Sequence, residues 1–344
     1  MDSRRKHITF AIHHREGSLS DHWLDYCKMR NIQFKLVNCY DSDIVSRLHD
    51  CDALLWHWQH LDYREQNFAR QLIASLEKNG LKVYPDLATC WHYDDKVGQK
   101  YLLESIGAPT IPTYIFYSEK SALEWAHRTS YPKVFKLRSG TGSSNVKLVK
   151  SKNDAVYYIK RAFGRGFRSQ SVADNLRERI WRVRRDKNIS STVHLLKGLA
   201  RGIISNGNRN LLMRHKGYVY FQDYVSGIEY DVRVVIIKDK AFAMKRWNRK
   251  NDFRASGSGL KSYDHRDIDT RYIDTAFRLN EQLKAQSIAF DFILHDDKIK
   301  VIEISYSFKT KIFPGYWDRN LQWNNGTVNI GHAIIDNLIN DFKK

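Results

Sequence analysis

Ala289-Phe290-Asp291-Phe292-Ile293-Leu294 and Lys300-Val301-Ile302-Glu303-Ile304-Ser305 decide how this chain is read, because each sets one carboxylate inside an apolar, β-branched run. Both runs have the composition of strands, and His295-Asp296-Asp297-Lys298 between them reads as a hairpin turn. A hairpin of that spacing can carry Asp291 and Glu303 to one face. A buried like-charge pair is tolerated when a cation neutralises it, and hard oxygen ligands suit magnesium, a metal usually shared with substrate phosphates. Two edge acids facing solvent would have the same local sequence. The rest of the chain has to separate the two readings.

Three other stretches bear on that choice. Lys133-Val134-Phe135-Lys136-Leu137 reads as a strand, followed by the loop Arg138-Ser139-Gly140-Thr141-Gly142-Ser143-Ser144 and a second strand, Asn145–Val149. The loop lacks GxxxxGK[ST] and opens no helix, so it is not a Walker motif. Glycines and small hydroxyls at a hairpin tip leave backbone N–H groups able to close over phosphate oxygens, and Lys136 on the strand before it can hold phosphate as a point charge. An ordinary turn would look the same. Further on, Phe221-Gln222-Asp223-Tyr224-Val225-Ser226-Gly227 ends a strand in a bend, with Glu229 shortly after. Exposed backbone groups in such a bend can pair with an adenine edge, and the carboxylate can accept from ribose hydroxyls; a plain β-turn with a surface acid is the alternative. The third stretch, Lys245 to Gly259, sets Arg246 and Arg254 around a small-residue loop, as phosphate or a tetrahedral intermediate requires, or as a basic surface loop allows.

Towards the N-terminus, strand and helix signals alternate: Ile8–Ile12, Ser20–Arg30, Gln33–Val37, Ser42–His49, Ala53–Trp58, Arg64–Lys78 and Lys82–Tyr84. Alternation of this kind means βαβ crossovers and a parallel sheet, yet no GxGxxG follows the first strand. A helix opens at Asp94-Asp95-Lys96 and stops before Pro109 and Pro112. The expected organisation is an α/β unit over residues 1–94, a first lobe over 95–217 with a basic helical insertion at about 161–216, and a C-terminal lobe over 218–344.

The bulk composition narrows the function classes. With 344 residues and 42% hydrophobic content the chain can build two or three cores. It contains no apolar run long enough for a membrane span or a signal peptide. Four cysteines without a CxxC pair fit a reducing cytoplasm. The net charge is +19, and Arg161 to Lys216 alone carries +11. Such a patch fits nucleic acid, another acidic polymer, anionic lipid or nucleotide phosphates, or else a solvated helix face. Regular aromatic interleaving of the single-strand binders is missing, with only Phe163, Phe167 and Trp181 in the run, so nucleic acid is not the expected partner.

Taken in order, a helix opening Asp-Lys, a strand lysine with a Gly-rich hairpin, a bend with a following Glu, a basic loop, and Asp and Glu on a terminal hairpin resemble the ATP-grasp superfamily. The resemblance runs from about Asp95 to Ser307. Asp231-Val232-Arg233 and Met244-Lys245-Arg246 look closest to ribosomal-protein glutamate ligases. Asn251-Asp252-Phe253-Arg254-Ala255-Ser256-Gly257-Ser258-Gly259 and Glu303-Ile304-Ser305-Tyr306 look like ATP-grasp proteins of surface-polysaccharide gene clusters.

The resemblance implies an α/β (α+β) ATP-grasp fold, a Rossmann-like leading domain followed by two α+β lobes that clamp ATP. It also implies an ATP- and magnesium-dependent carboxylate–amine ligase working through an acylphosphate. Lys96 and Lys136 would meet the phosphates, with Gly140, Thr141, Gly142 and Ser143 as a flap. Tyr224 and Val225 would meet adenine through their backbone, with Gln222 or Asp223 near its amino group, and Glu229 would hold the ribose. Asp291, Glu303 and Ser305 would hold magnesium as two ions, replaceable by manganese, and Arg246, Arg254 and Ser256 would steady the acylphosphate. The family's usual Glu-x-Asn is Glu303-Ile304-Ser305 here, so the second ion is expected to be held through water. Expected substrates are a small-molecule acid, such as an acidic sugar, and an amine; an amino-acid ligase acting on a protein and an inactive scaffold binding a polyanion are the alternatives. Ligases of this type often pair, so a homodimer is one assembly the resemblance allows, and the sequence leaves the oligomeric state open.

Overall fold

A computed structural model describes residues 8–60, 62–140, 145–168, 214–248, 260–308 and 312–343. The leading unit runs β1 (Thr9–His13), α1 (Leu19–Met29), β2 (Gln33–Val37), α2 (Ile44–Arg47), β3 (Ala53–Trp56), α3 (Tyr63–Lys78), β4 (Lys82–Tyr84) and α4 (Leu87–Cys90). Its four strands are parallel, in the order β2-β1-β3-β4, as the alternation predicts. Asp62 caps α3 by accepting from the Arg64 N–H, and Asn79 and Gly80 end it.

Next come α5 (Lys96–Ser105), β5 (Thr113–Phe116), α6 (Glu119–Arg128), β6 (Lys133–Lys136), β7 (Val146–Val149), α7 (Lys152–Phe163), β8 (Phe167–Arg168), β9 (Arg214–His215) and β10 (Val219–Asp223). Strands β5-β10-β6-β7 form an antiparallel sheet. One face of it packs Phe135 and Phe221 against Ala122, Ala126, Ala155 and Ile159 of α6 and α7. By alternation the other face carries Val134, Lys136, Tyr220 and Gln222. The basic stretch departs from the helical expectation where it is described: α7 ends at Phe163, and Phe167–Arg168 then pairs with Arg214–His215 as a short ribbon. A capping box at Ser151 and Asp154 starts α7 ten residues before the basic run.

The remaining elements are β11 (Tyr230–Ile237), β12 (Lys240–Trp247), β13 (Lys261–Ser262), α8 (Thr270–Leu283), β14 (Ser287–His295), β15 (Lys298–Ser305), β16 (Ile312–Trp317), β17 (Trp323–Asn329) and α9 (Ile330–Asp341). They build a sheet in the order β15-β14-β11-β12-β16-β17, with β13 beside β12. The sequence signals used above do not anticipate α8, β16, β17 or α9.

The two faces of this large sheet have different fates. Val232, Val234, Ile236, Phe290, Phe292 and Ile304 point to α8 and to Leu103 of α5, which therefore packs here although it precedes the small sheet in sequence. Val235, Ile237, Phe242, Met244 and Ala289 point the other way, against Phe10, Ile12 and Trp23 of the leading unit and Ile334 of α9. Further along that second face the apolar residues give way to Asp231, Arg233, Arg246, Asp291 and Glu303. One face is thus half core and half site.

Candidate active site

Asp291 and Glu303 are direct cross-strand partners, so their side chains share a face. The connecting turn has positive φ at both Asp296 (49°) and Asp297 (54°), the conformation of a tight two-residue hairpin, and pairs His295 with Lys298. Counting back from that turn would pair Asp291 with Ile302 and send Glu303 to the opposite face. A β-bulge between Asp291 and Phe292 inserts Ile302 as an extra residue and restores the match.

Asp291 is buried, and both its oxygens are engaged. Arg233 donates to it through two nitrogens at 2.6 and 2.7 Å, and Arg246 reaches Oδ2 at 2.9 Å while gripping Asp231 with two bonds of 2.6 Å. Burial alone would raise the Asp291 carboxyl; the two guanidinium groups overcome that and hold it well below the ordinary carboxylate range. Burial pushes Asp231 up to about 6 against the pull of Arg246. Arg233 is a residue to which the sequence motifs assigned no role. Its signal was available: Asp231 and Arg233, two apart in an apolar strand, must share a face.

The start of α5 meets this face. Asp95 caps the helix by accepting from the Gly98 N–H, and its carboxylate also pairs with Arg138. Lys96 lies 3.4 Å from Glu303 and donates to the Gly140 carbonyl at 2.7 Å, while the Gly140 N–H donates to Asp94 at 2.8 Å. Burial raises the Asp94 carboxyl to about 6. Lys136 donates to the Gln222 side-chain oxygen at 2.7 Å, and Gln222 in turn donates to Thr113. Burial, with the like charge of Lys96, lowers the Lys136 ammonium to about 8, Glu303 opposing. The Gly-rich loop is also held at its stem: the Tyr218 hydroxyl accepts from the Arg138 N–H at 2.7 Å, and His215 bonds Ser139 at 2.9 Å.

Lys96, Lys136, Gln222, Arg246, Asp291, Glu303 and Gly140 are therefore tied together across five segments of chain: α5, β6 with its loop, β10, β12 and the β14–β15 hairpin. Asp223 is not with them; it falls on the helix-covered face and pairs with Lys133. Tyr224, Val225 and Glu229 lie on the connection from the small sheet to the large one, with Glu229 exposed. Ser305 spends its hydroxyl on a local turn, donating to the Ser307 carbonyl and accepting from its N–H. Thr141, Gly142, Ser143, Arg254, Ser256 and the basic stretch 169–213 lie outside the described residues.

The oxygen donors of Asp291 and Glu303 are of the type a hard cation takes, and they are adjacent. Each is already partnered by a cation of the protein, and among the described residues no group of three or more His, Cys, Asp or Glu side chains is placed to hold a metal ion. The donor chemistry fits magnesium; the partners set a condition on its binding.

Comparison with solved structures gives the fold. A RimK-domain ATP-grasp protein from Sphaerobacter thermophilus is similar over 88% of this chain and 92% of its own, at 15% identity and a TM-score of 0.51. The D-alanine–D-alanine ligase of Bacillus anthracis, solved with ATP, is similar over 87% of this chain and 86% of its own, at 11% identity and 0.53. The N5-carboxyaminoimidazole ribonucleotide synthetase of Thermotoga maritima matches over 87% of this chain and 68% of its own, at 14% identity and 0.51. No protein-family model and no curated protein matches the chain. The fold is the ATP-grasp fold. Among the described residues, no helix is long and apolar enough to cross a membrane.

Proposed function

We propose that this protein is an ATP- and magnesium-dependent ligase that joins a carboxylate to an amine. The observation that best supports this is the convergence of Lys96, Lys136 and Glu303 at the start of α5, on a fold whose structural neighbours include ligases. Lys96 and Lys136 hold the phosphates, and residues 140–143 cover them. Gln222 and the backbone of Tyr224 and Val225 meet the adenine, and Glu229 the ribose. Asp291 and Glu303 would hold magnesium, which when bound neutralises charge on the phosphate oxygens.

In the reaction, a carboxylate oxygen of the substrate bonds to the γ-phosphorus as the bond to ADP breaks. The amine nitrogen then bonds to the acyl carbon, inorganic phosphate leaves, and the nitrogen loses a proton. Arg254 and Ser256 steady the oxyanion of the second step. Arg246, fixed by Asp231, braces Asp291. The closed cleft keeps water from the acylphosphate.

A net charge of +19 and the polysaccharide-cluster motifs favour an acidic sugar as the carboxylate substrate. All four cysteines are buried and outside disulfides, which suits work in the cytoplasm. The test is a thermal-shift titration with a non-hydrolysable ATP analogue, with and without magnesium, on wild type and Glu303→Ala. A magnesium-dependent rise in Tm that the variant loses is expected. Turnover of the variant should fall on the order of a thousandfold, several kcal/mol of transition-state stabilisation, with its fold retained. No rise in the wild type would overturn the reading.

A further inference from the structure

Arg233 and Arg246 both touch Asp291, but they are anchored differently. Arg246 grips Asp231 with two hydrogen bonds and reaches Asp291 with one side of its fork. Arg233 gives its paired bonds to Asp291 alone, and its side chain is the more accessible, 20% exposed against 10% for Arg246. Moving Arg246 would strand a buried carboxylate, Asp231, which is 1% exposed. Moving Arg233 leaves Asp291 still paired with Arg246.

Charge adds a second constraint. Four cations, Lys96, Lys136, Arg233 and Arg246, meet four carboxylates, Asp94, Asp231, Asp291 and Glu303, so the described side chains carry no net negative charge. A divalent ion brought to Asp291 by itself would come up against two guanidinium groups and find no excess anion to hold it. A polyphosphate changes both conditions. It brings several negative charges, and its oxygens match the planar fork of an arginine.

We propose that Arg233 is an exchangeable guanidinium, which clamps Asp291 in the nucleotide-free protein and passes its fork to a phosphate oxygen when a nucleoside triphosphate enters, releasing Asp291 to a divalent cation. The inference rests on the nucleotide reading of the site and adds an order to it: the metal binds with the polyphosphate and not before it. It also explains why arginine serves at position 233, since only a planar fork holds either partner at two points.

The test measures Mn²⁺ binding to the full chain by electron paramagnetic resonance, with and without a non-hydrolysable ATP analogue. In the wild type the analogue should tighten Mn²⁺ binding by at least about tenfold, ~1.4 kcal/mol. Arg233→Met should tighten nucleotide-free Mn²⁺ binding by about tenfold and weaken metal-free binding of the analogue by a similar factor. Arg233→Lys keeps the charge without the fork, so it should still exclude Mn²⁺ yet bind the analogue about fivefold more weakly; this variant carries the test if Arg233→Met does not fold. Wild-type protein that binds Mn²⁺ equally well without the analogue, or variants indistinguishable from wild type, would overturn the exchange. A wild type that binds neither analogue nor metal would instead overturn the nucleotide reading itself.

Discussion

The small antiparallel sheet and the large sheet each supply half of the candidate site, yet they are built into the molecule in opposite ways. The large sheet shares one continuous core with the leading unit, in which Phe242, Met244 and Phe313 meet Phe10, Ile12 and Trp23. The Tyr84 hydroxyl bonding Ser287 and the Gln286 side chain bonding the Val83 carbonyl reinforce that seam. The small sheet has a core of its own, closed by α6 and α7, and among the described residues none of its members comes from the other units. What ties it to the start of α5 is polar: Lys96 and Asp94 to Gly140, and Asp95 to Arg138. Hydrogen bonds of this kind can be exchanged for water at a net cost of about 1 kcal/mol each, whereas opening an apolar seam costs about 25 cal/mol for every Å² exposed. The lesson is mechanical. Glu303 and Asp291 stand on a fixed platform, and Lys136 and Gln222 on a lobe that can shift without tearing a core.

Core substitutions test this contrast most severely. Phe242→Ala and Phe221→Ala each remove a fully buried ring and should each cost about 3–5 kcal/mol. Phe242→Ala should lower the protection of both the leading unit and the large sheet in hydrogen exchange. Phe221→Ala should confine its effect to the small-sheet lobe, that is β5, β6, β7 and β10 with α6 and α7. A Phe221→Ala variant that loosens the whole chain evenly would break the comparison.

Asp94 sharpens it at the contact between the two regions. Its folded pKa is raised to about 6 by burial, so the folded state favours the protonated acid. The stability this gives is fully present below the unfolded value near 4 and is lost as pH rises through about 6. Asp94→Asn removes the titration while keeping an oxygen for the Gly140 N–H. Between about pH 4 and 6 the wild type should therefore lose on the order of 2 kcal/mol relative to the variant, read from urea midpoints. A difference independent of pH would show that Asp94 is not buried against the loop stem.

Helix caps give the smallest expected effect. Ser151→Ala at the start of α7 and Asn329→Ala at the start of α9 should each cost about 1 kcal/mol. The first should register only in the exchange of the small-sheet lobe. The second should register globally, because Ile330, Ile334 and Leu338 of α9 belong to the shared core.

Much of this architecture was legible in the sequence. Alternating strands and helices in the leading unit, the lysine strand before the Gly-rich hairpin, and the acids on β14 and β15 are local patterns with local causes. The ladder of Asp231, Arg246, Asp291 and Arg233 was half legible, since period-2 spacing places Asp231 and Arg233 on one face, but which strands lie side by side is not written in any one of them. Asp223 shows the same limit: next to Gln222 in sequence, it is across the sheet from it in space. Helix α8 carries an evident cap at Asp269 and a helical spacing of Tyr272, Ile273, Ala276 and Phe277, a local signal that lies outside the site motifs.

The β14–β15 hairpin marks the boundary most clearly. By itself the sequence determined two apolar strands, a tight turn at Asp296-Asp297 and one acid on each strand. Strict pairing from that turn would have left the acids on opposite faces. The bulge at Ile302 reverses this, and it is held by partners far away in the chain: the Gln99 side chain bonds both the Ile304 carbonyl and N–H, and the Pro109 carbonyl accepts from the Val301 N–H. An edge strand has unpaired backbone groups that any neighbour can claim, so its register is decided by what packs beside it. Only the tertiary structure, by bringing α5 and the segment after it to that edge, placed Asp291 and Glu303 on one face.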